Sequence, residues 1–129
     1  MSYLLDTHTL IWFINGDEKL PLNVRNLIQQ ESQGMIFVSA ASFWEMAIKV
    51  SLGKLELTLP FSQTLTKVKE NGFVVLDIYF KHTLHLSQLP FHHRDPFDRT
   101  LIAQALSENL TIITKEKLFE EYGIKRLWQ

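Results

Sequence analysis

Short apolar runs recur along the chain, separated by longer stretches in which apolar residues return every three or four positions. That alternation is the pattern of strands joined by helical crossovers, and hence of a mainly parallel sheet. The runs Tyr3-Leu4-Leu5, Met35-Ile36-Phe37-Val38, Phe73-Val74-Val75-Leu76, Thr111-Ile112-Ile113-Thr114 and Ile124-Lys125-Arg126-Leu127 predict strands at about residues 2–5, 35–38, 73–76, 111–114 and 124–127. Helices are predicted at about 7–14, 21–32, 40–51, 61–71, 79–86, 97–108 and 116–121. Pro21, Pro60 and Pro96 stand where a helix can begin; Gly34, Gly53, Gly72 and Gly123 stand where one can end. No repeat, low-complexity tract or linker interrupts the pattern, and only Ser87 to Pro96 reads as a loop.

Composition narrows the function classes. At 129 residues and 46% hydrophobic content, the chain is expected to form one domain over 1–129. It has no cysteine, which excludes disulfides, thiolate nucleophiles and Cys-ligated zinc. Asp6 interrupts the first apolar run, so no signal peptide is expected, and no run approaches the roughly 20 residues of a membrane span. A soluble, cytoplasmic protein is the expectation. Thirteen Lys and Arg against fourteen Asp and Glu give a net charge of −1, so any attraction for a polyanion must come from local basic groups or bound cations.

The acidic residues are placed unusually. Asp6 ends the first strand and starts a helix, at the sheet edge where ligands bind in open parallel sheets; it is equally a good N-cap. Glu45 is a polar position within Phe43-Trp44-Glu45-Met46-Ala47-Ile48, and Lys49 is spaced to pair with it across one helical turn. Asp95 precedes Pro96 as an N-cap, and Asp98 follows three residues later on the same helical face. Glu116 follows the fourth strand, where an exposed first-turn glutamate is an ordinary feature. Each acid has a structural explanation alone. Together, all lie near strand ends or helix starts that a parallel sheet can bring to one edge. Carboxylates gathered without cationic partners repel, and a hard divalent ion, Mg²⁺ or Mn²⁺, is the natural way to keep them ionised.

Leu4-Leu5-Asp6-Thr7-His8, Ser42-Phe43-Trp44-Glu45 and His93-Arg94-Asp95-Pro96-Phe97-Asp98-Arg99, followed by Leu101-Ile102-Ala103-Gln104-Ala105, together resemble the PIN-domain ribonucleases, specifically the VapC toxins. The resemblance spans nearly the whole chain and is most specific in the last block. It implies an α/β, three-layer fold with a central parallel sheet of about five strands flanked by helices. It also implies Mg²⁺ dependence with Mn²⁺ as a substitute, endonucleolytic RNA cleavage, a homodimer and inhibition by a small VapB-like antitoxin. By motif, Asp6, Glu45 and Asp98 correspond to the family's acids, with Asp95 their companion. The family's further acid is usually an aspartate; here Glu116 holds that place with a side chain one methylene longer.

The mechanism expected from this set is hydrolysis. Asp6, Asp98 and Asp95 bind the ion, Glu45 completes the site or orients its water, and the ion lowers that water's pKa. The resemblance suggests 5′-phosphate and 3′-hydroxyl products. Arg94, Arg99, Lys49 and Lys54 are candidates for contacts to the RNA backbone. His82, His85, His92 and His93 lack a zinc motif and read as surface or loop residues, while His8 reads as a packing residue near the site. Trp12, Phe13, Trp44, Phe97 and Phe119 are expected in the core rather than as base-stacking platforms. Leu10, Ile11, Phe13, Leu27 and Ile28 are expected to expose an apolar groove for a dimer mate or antitoxin. Two other classes compete: a non-catalytic metal-, RNA- or partner-binding module, and a small metal-dependent phosphohydrolase, which would lack its usual Asp-x-Asp after the first strand.

Overall fold

A computed structural model describes residues 1–129. It runs β1 (Tyr3–Leu5), α1 (Thr7–Asn15), α2 (Leu22–Gln30), β2 (Ile36–Ser39), α3 (Ala40–Ser51), α4 (Thr64–Glu70), β3 (Val74–Leu76), α5 (Phe80–Ser87), α6 (Pro96–Glu108), β4 (Thr111–Ile113) and β5 (Arg126–Leu127). The helix expected at 61–71 is a 3₁₀ turn at Phe61–Gln63 followed by α4, and that expected at 116–121 is 3₁₀ over Lys117–Tyr122. The other predicted elements are present, with ends shifted by one or two residues.

All five strands are parallel, in the order β3-β2-β1-β4-β5. β1 and β4 are buried at every position. They are covered on both faces, which is why they read as continuous apolar runs rather than alternating ones. Tyr3, Leu5 and Ile113 point toward one core with α1, α2 and α4; Leu4 and Ile112 point toward a second with α6 and Phe119. The result is the parallel sheet anticipated from the pattern, in the α/β three-layer arrangement that the resemblance implied. Leu4 and Ile112 are fully buried, and truncating either to alanine would cost about 2–5 kcal/mol.

Two features of the fold place the site. The chain lays β2 and β3 on one side of β1 and then crosses to β4 on the other, so the winding direction reverses between β1 and β4. That reversal opens a crevice at the carboxyl ends of these two strands. Gly72 makes the return into β3 at φ +78°, where a β-carbon would lie 2.4 Å from the Ser32 carbonyl oxygen, so a larger residue there would push apart the α2 and α4 ends.

The groove expected on the first helices is absent. Leu10, Ile11, Phe13 and Ile28 are buried in the first core and Leu27 packs against it, because α1 and α2 turn these side chains onto the sheet. Apolar surface appears instead on α3 and at its C-terminal cap, where Trp44, Ile48 and Leu52 are exposed at 61%, 38% and 61%. Trp44 was expected in the core; it lies outside, edge-on against the half-buried Phe97 at 5.6 Å. No helix is long and apolar enough to cross a membrane.

Candidate functional site

The crevice is built by strand ends and helix starts. Asp6 leaves β1 in extended backbone and caps α1, its Oδ1 accepting the Thr9 N–H at 2.8 Å. Its Oδ2 accepts the Thr114 hydroxyl at 2.6 Å, and Thr114 Oγ1 accepts the Glu116 N–H at 3.1 Å. The ends of β1 and β4 are thus laced together through one buried threonine. Asp6 is a cap and a member of the acidic site at once. Burial pushes its carboxyl above the ordinary range despite the hydrogen bonds from Thr114 and Thr9, which act the other way.

Ser39 caps α3 by accepting the Ala41 N–H at 3.0 Å, and the Thr7 and Ser42 hydroxyls, 2.9 Å apart, tie α3 to α1. One turn into α3, Glu45 is only 5% exposed, while its neighbour Trp44 faces solvent. The ordinary rule of apolar in and polar out is reversed there. Lys49 donates to Glu45 Oε2 at 2.8 Å, but Oε1 is buried without any hydrogen-bond partner. An orphaned, desolvated carboxylate oxygen is costly, and such a group calls for a reason beyond folding.

The third contribution comes from the start of α6. Asp95 Oδ1 accepts the N–H groups of Phe97 at 2.7 Å and Asp98 at 3.2 Å, with Pro96 at the first helical position. This cap turns the first helical turn so that Asp98 joins the cluster. Asp98 is pushed up to about 7, first by burial and then by the charges of Asp95, Glu116, Asp6 and Glu45. Of the predicted acids, Asp95, Glu116, Asp6 and Glu45 thus lie near enough to Asp98 for their charges to bear on it. A carboxylate oxygen of Asp98, one of Glu116 and a ring nitrogen of His93 lie within 4.8 Å of one another. Beside them a cavity of about 420 Å³ is lined by Asp6, His8, Trp12, Thr114, Lys115 and Glu116.

Several basic and aromatic expectations change. Arg99 does not face the crevice for RNA: it is buried, donates to the carbonyls of Pro90 at 2.8 Å and of His93 and Leu89 at 3.4 Å, and lies 4.0 Å over the Phe91 ring. It fastens the loop before α6. Lys49 is engaged with Glu45, whereas Arg94 and Lys54 are exposed. His93, expected as a surface or loop residue, is buried and bonded to Glu116 at 2.9 Å; His82 is buried too, bonded to Glu108 at 2.7 Å. His85 and His92 are exposed. Trp12 is half-buried and lines the cavity beside Asp6.

Sequence reasoning missed Thr114, Lys115 and Tyr122 as members of the neighbourhood. Thr114 and Lys115 immediately precede Glu116 at a strand end, and that position was the available signal. Tyr122 carried none, because only tertiary packing brings its hydroxyl to His93.

A family model for the PIN domain matches residues 3–125. No individual curated protein matches the sequence. Among solved structures, the chain is similar to VapBC2 from Rickettsia felis bound to a DNA fragment from its promoter, at a TM-score of 0.75 and 19% identity over 100% of both chains. It is similar to DNA-bound VapBC from Salmonella typhimurium at 0.72 and 21%, covering 98% of this chain and 97% of that one. FitAcB from Neisseria gonorrhoeae follows at 0.63 and 18%, over 97% and 96%. At these identities the likeness is one of fold.

Proposed function

The chain belongs to the PIN domain family, and from that premise we propose that it is a divalent-cation-dependent endoribonuclease, the toxin of a VapBC-type toxin–antitoxin pair. The observation that carries this reading is the gathering of Asp6, Glu45, Asp95, Asp98 and Glu116 with Lys49 as the only lysine or arginine in ion-pair contact with them. A scaffold has no need to crowd carboxylates until one of them holds its proton to about pH 7.

The residues fit a hard cation. The donors are oxygens, and the buried Oε1 of Glu45 lacks any partner within the protein. Asp98 and Glu116, whose carboxylate oxygens lie together, would hold Mg²⁺ or Mn²⁺, with Asp6 and Glu45 completing the site from beside them and Asp95 contributing charge while its Oδ1 caps α6. When bound, such an ion lowers the pKa of water and offsets charge on a phosphodiester. The chain's own groups do the rest. Thr114 holds Asp6 in one orientation, and Lys115 and Arg94 supply exposed positive charge for RNA phosphates. Trp12, at the edge of the cavity, offers a ring face for a base.

The exposed stripe of Trp44 and Ile48 on α3 with Leu52 at its C-terminal cap supports a protein partner, either a second copy of the chain or the antitoxin. VapBC2 and VapBC, which share the fold, are two-component assemblies by name.

The test is incubation of the purified chain with total cellular RNA and Mg²⁺ or Mn²⁺, beside EDTA, Asp6→Asn and Asp98→Asn. Discrete fragments that disappear in all three controls are expected. Intact RNA with folded protein across both metals would favour a non-catalytic binding module, and release of phosphate from monoesters alone would favour a phosphohydrolase.

A further inference from the structure

The buried histidine at the crevice is joined to groups on both sides. His93 donates its backbone N–H to the Tyr122 hydroxyl at 2.8 Å, and its Nδ1 lies 3.1 Å from the same oxygen. Its Nε2 lies 2.9 Å from Glu116 Oε1. The tautomer follows from counting protons. The Glu116 carboxylate can only accept, so Nε2 carries the proton that it faces and donates it there. In the neutral ring Nδ1 is then left to accept the Tyr122 hydroxyl, whose oxygen also takes the backbone N–H.

We propose that His93 is a positioning residue of the cation site: held by Tyr122, it fixes Glu116 as an oxygen donor beside Asp98. This rests on the cation-dependent reading above. The need for it lies in Glu116 itself, whose side chain is 45% exposed and has one more rotatable bond than an aspartate. Left free, it would sample many rotamers. The His93 ring cannot follow it out, because it is packed edge-on against Phe119 at 5.0 Å and 82°. A rigid donor thus captures a flexible carboxylate, the way outer partners orient the ligands of metal sites. The same proton count says what His93 does not do. With Nδ1 accepting from Tyr122 and Nε2 carrying the proton, the ring has no lone pair left for the ion.

Binding of Mn²⁺ alone to the full chain, followed by the electron paramagnetic resonance of free and bound ion, tests this without reference to cleavage. His93→Ala is expected to weaken Mn²⁺ binding about 10- to 100-fold. Glu116→Gln should do the same, and the double variant should be no worse than either single one. His93→Gln, whose amide can still donate to Glu116, should retain most of the affinity. Tyr122→Phe keeps the ring packing but releases the tautomer, and should lose part of it. Bound Mn²⁺ should show no nitrogen coupling. Equal losses from His93→Ala in the wild-type and Glu116→Gln backgrounds would overturn the proposal, as would an unchanged affinity in Tyr122→Phe. Nitrogen coupling abolished by His93→Ala would make His93 a ligand instead. Failure of the wild-type chain to bind Mn²⁺ at all would remove the cation reading, and the proposal with it.

Discussion

Acids at two places in this chain are treated in opposite ways. At the contact of α5 with α6, Glu108 Oε2 receives Lys81 at 2.8 Å and His82 at 2.7 Å, and these partners hold its carboxyl below the ordinary range. His82 is fixed in turn by the Tyr79 N–H on its Nδ1 at 3.0 Å. At the crevice between β1 and β4, burial and four other carboxylates push Asp98 the other way, to about 7. An acid that serves the fold arrives with its cation. The crevice acids have been brought together without enough positive charge of their own, and the cation proposed above would make good that deficit.

The comparison breaks most sharply in activity. Asp98→Asn and Asp6→Asn should each lower single-turnover RNA cleavage on the order of 10³-fold. Glu108→Gln should leave it within about twofold. A comparable loss in Glu108→Gln would erase the distinction. Arg99 and Arg94 sharpen it among the cations. Arg99→Ala strands three carbonyl acceptors inside the loop and should cost roughly 2–3 kcal/mol in denaturant unfolding. Exposed Arg94→Ala should stay within about 0.5 kcal/mol.

The metal-free protein should show the strain of the crevice directly. Folded Asp98 keeps its proton to about pH 7, against 3.8 for the ordinary carboxyl. The folded state therefore binds more protons between these values, and stability should fall as pH rises from about 4 to 7. Asp98→Asn removes this penalty. It should raise stability at neutral pH by roughly 1 kcal/mol, solvent screening having reduced the full effect, and flatten the pH dependence of the melting temperature. A variant less stable than wild type at neutral pH would contradict the account. Smallest of all, Lys115→Ala should reduce the salt dependence of RNA binding by one contact, about 0.7 in the slope of log K against log salt for a single strand. An unchanged slope would take Lys115 out of the interface.

What the sequence made legible follows the range of the forces involved. The strands and α6 were readable because apolar runs, Asp95-Pro96 and the αL turns act within a few residues. The same locality placed Asp6, Asp98 and Glu116 at element ends. Arg99 was misjudged because an arginine beside acids looks the same in sequence whether it faces solvent or folds back onto carbonyls of its own loop. Leu10, Ile11, Phe13 and Ile28 were misjudged because an apolar helix stripe does not say whether a sheet or a partner will cover it. His93 was misjudged as a surface or loop residue for the reason Tyr122 was missed: their contact spans 29 residues, and only the fold makes it.

On the proposed function, the crevice acids hold a divalent cation that enables water to cleave RNA. The most direct test is the end chemistry of a labelled RNA cut during a Mg²⁺ titration. Fragments with 5′-phosphate and 3′-hydroxyl ends are expected, their yield rising with Mg²⁺ and abolished by Asp98→Asn. Fragments with 2′,3′-cyclic phosphate ends, formed equally in EDTA, would contradict it.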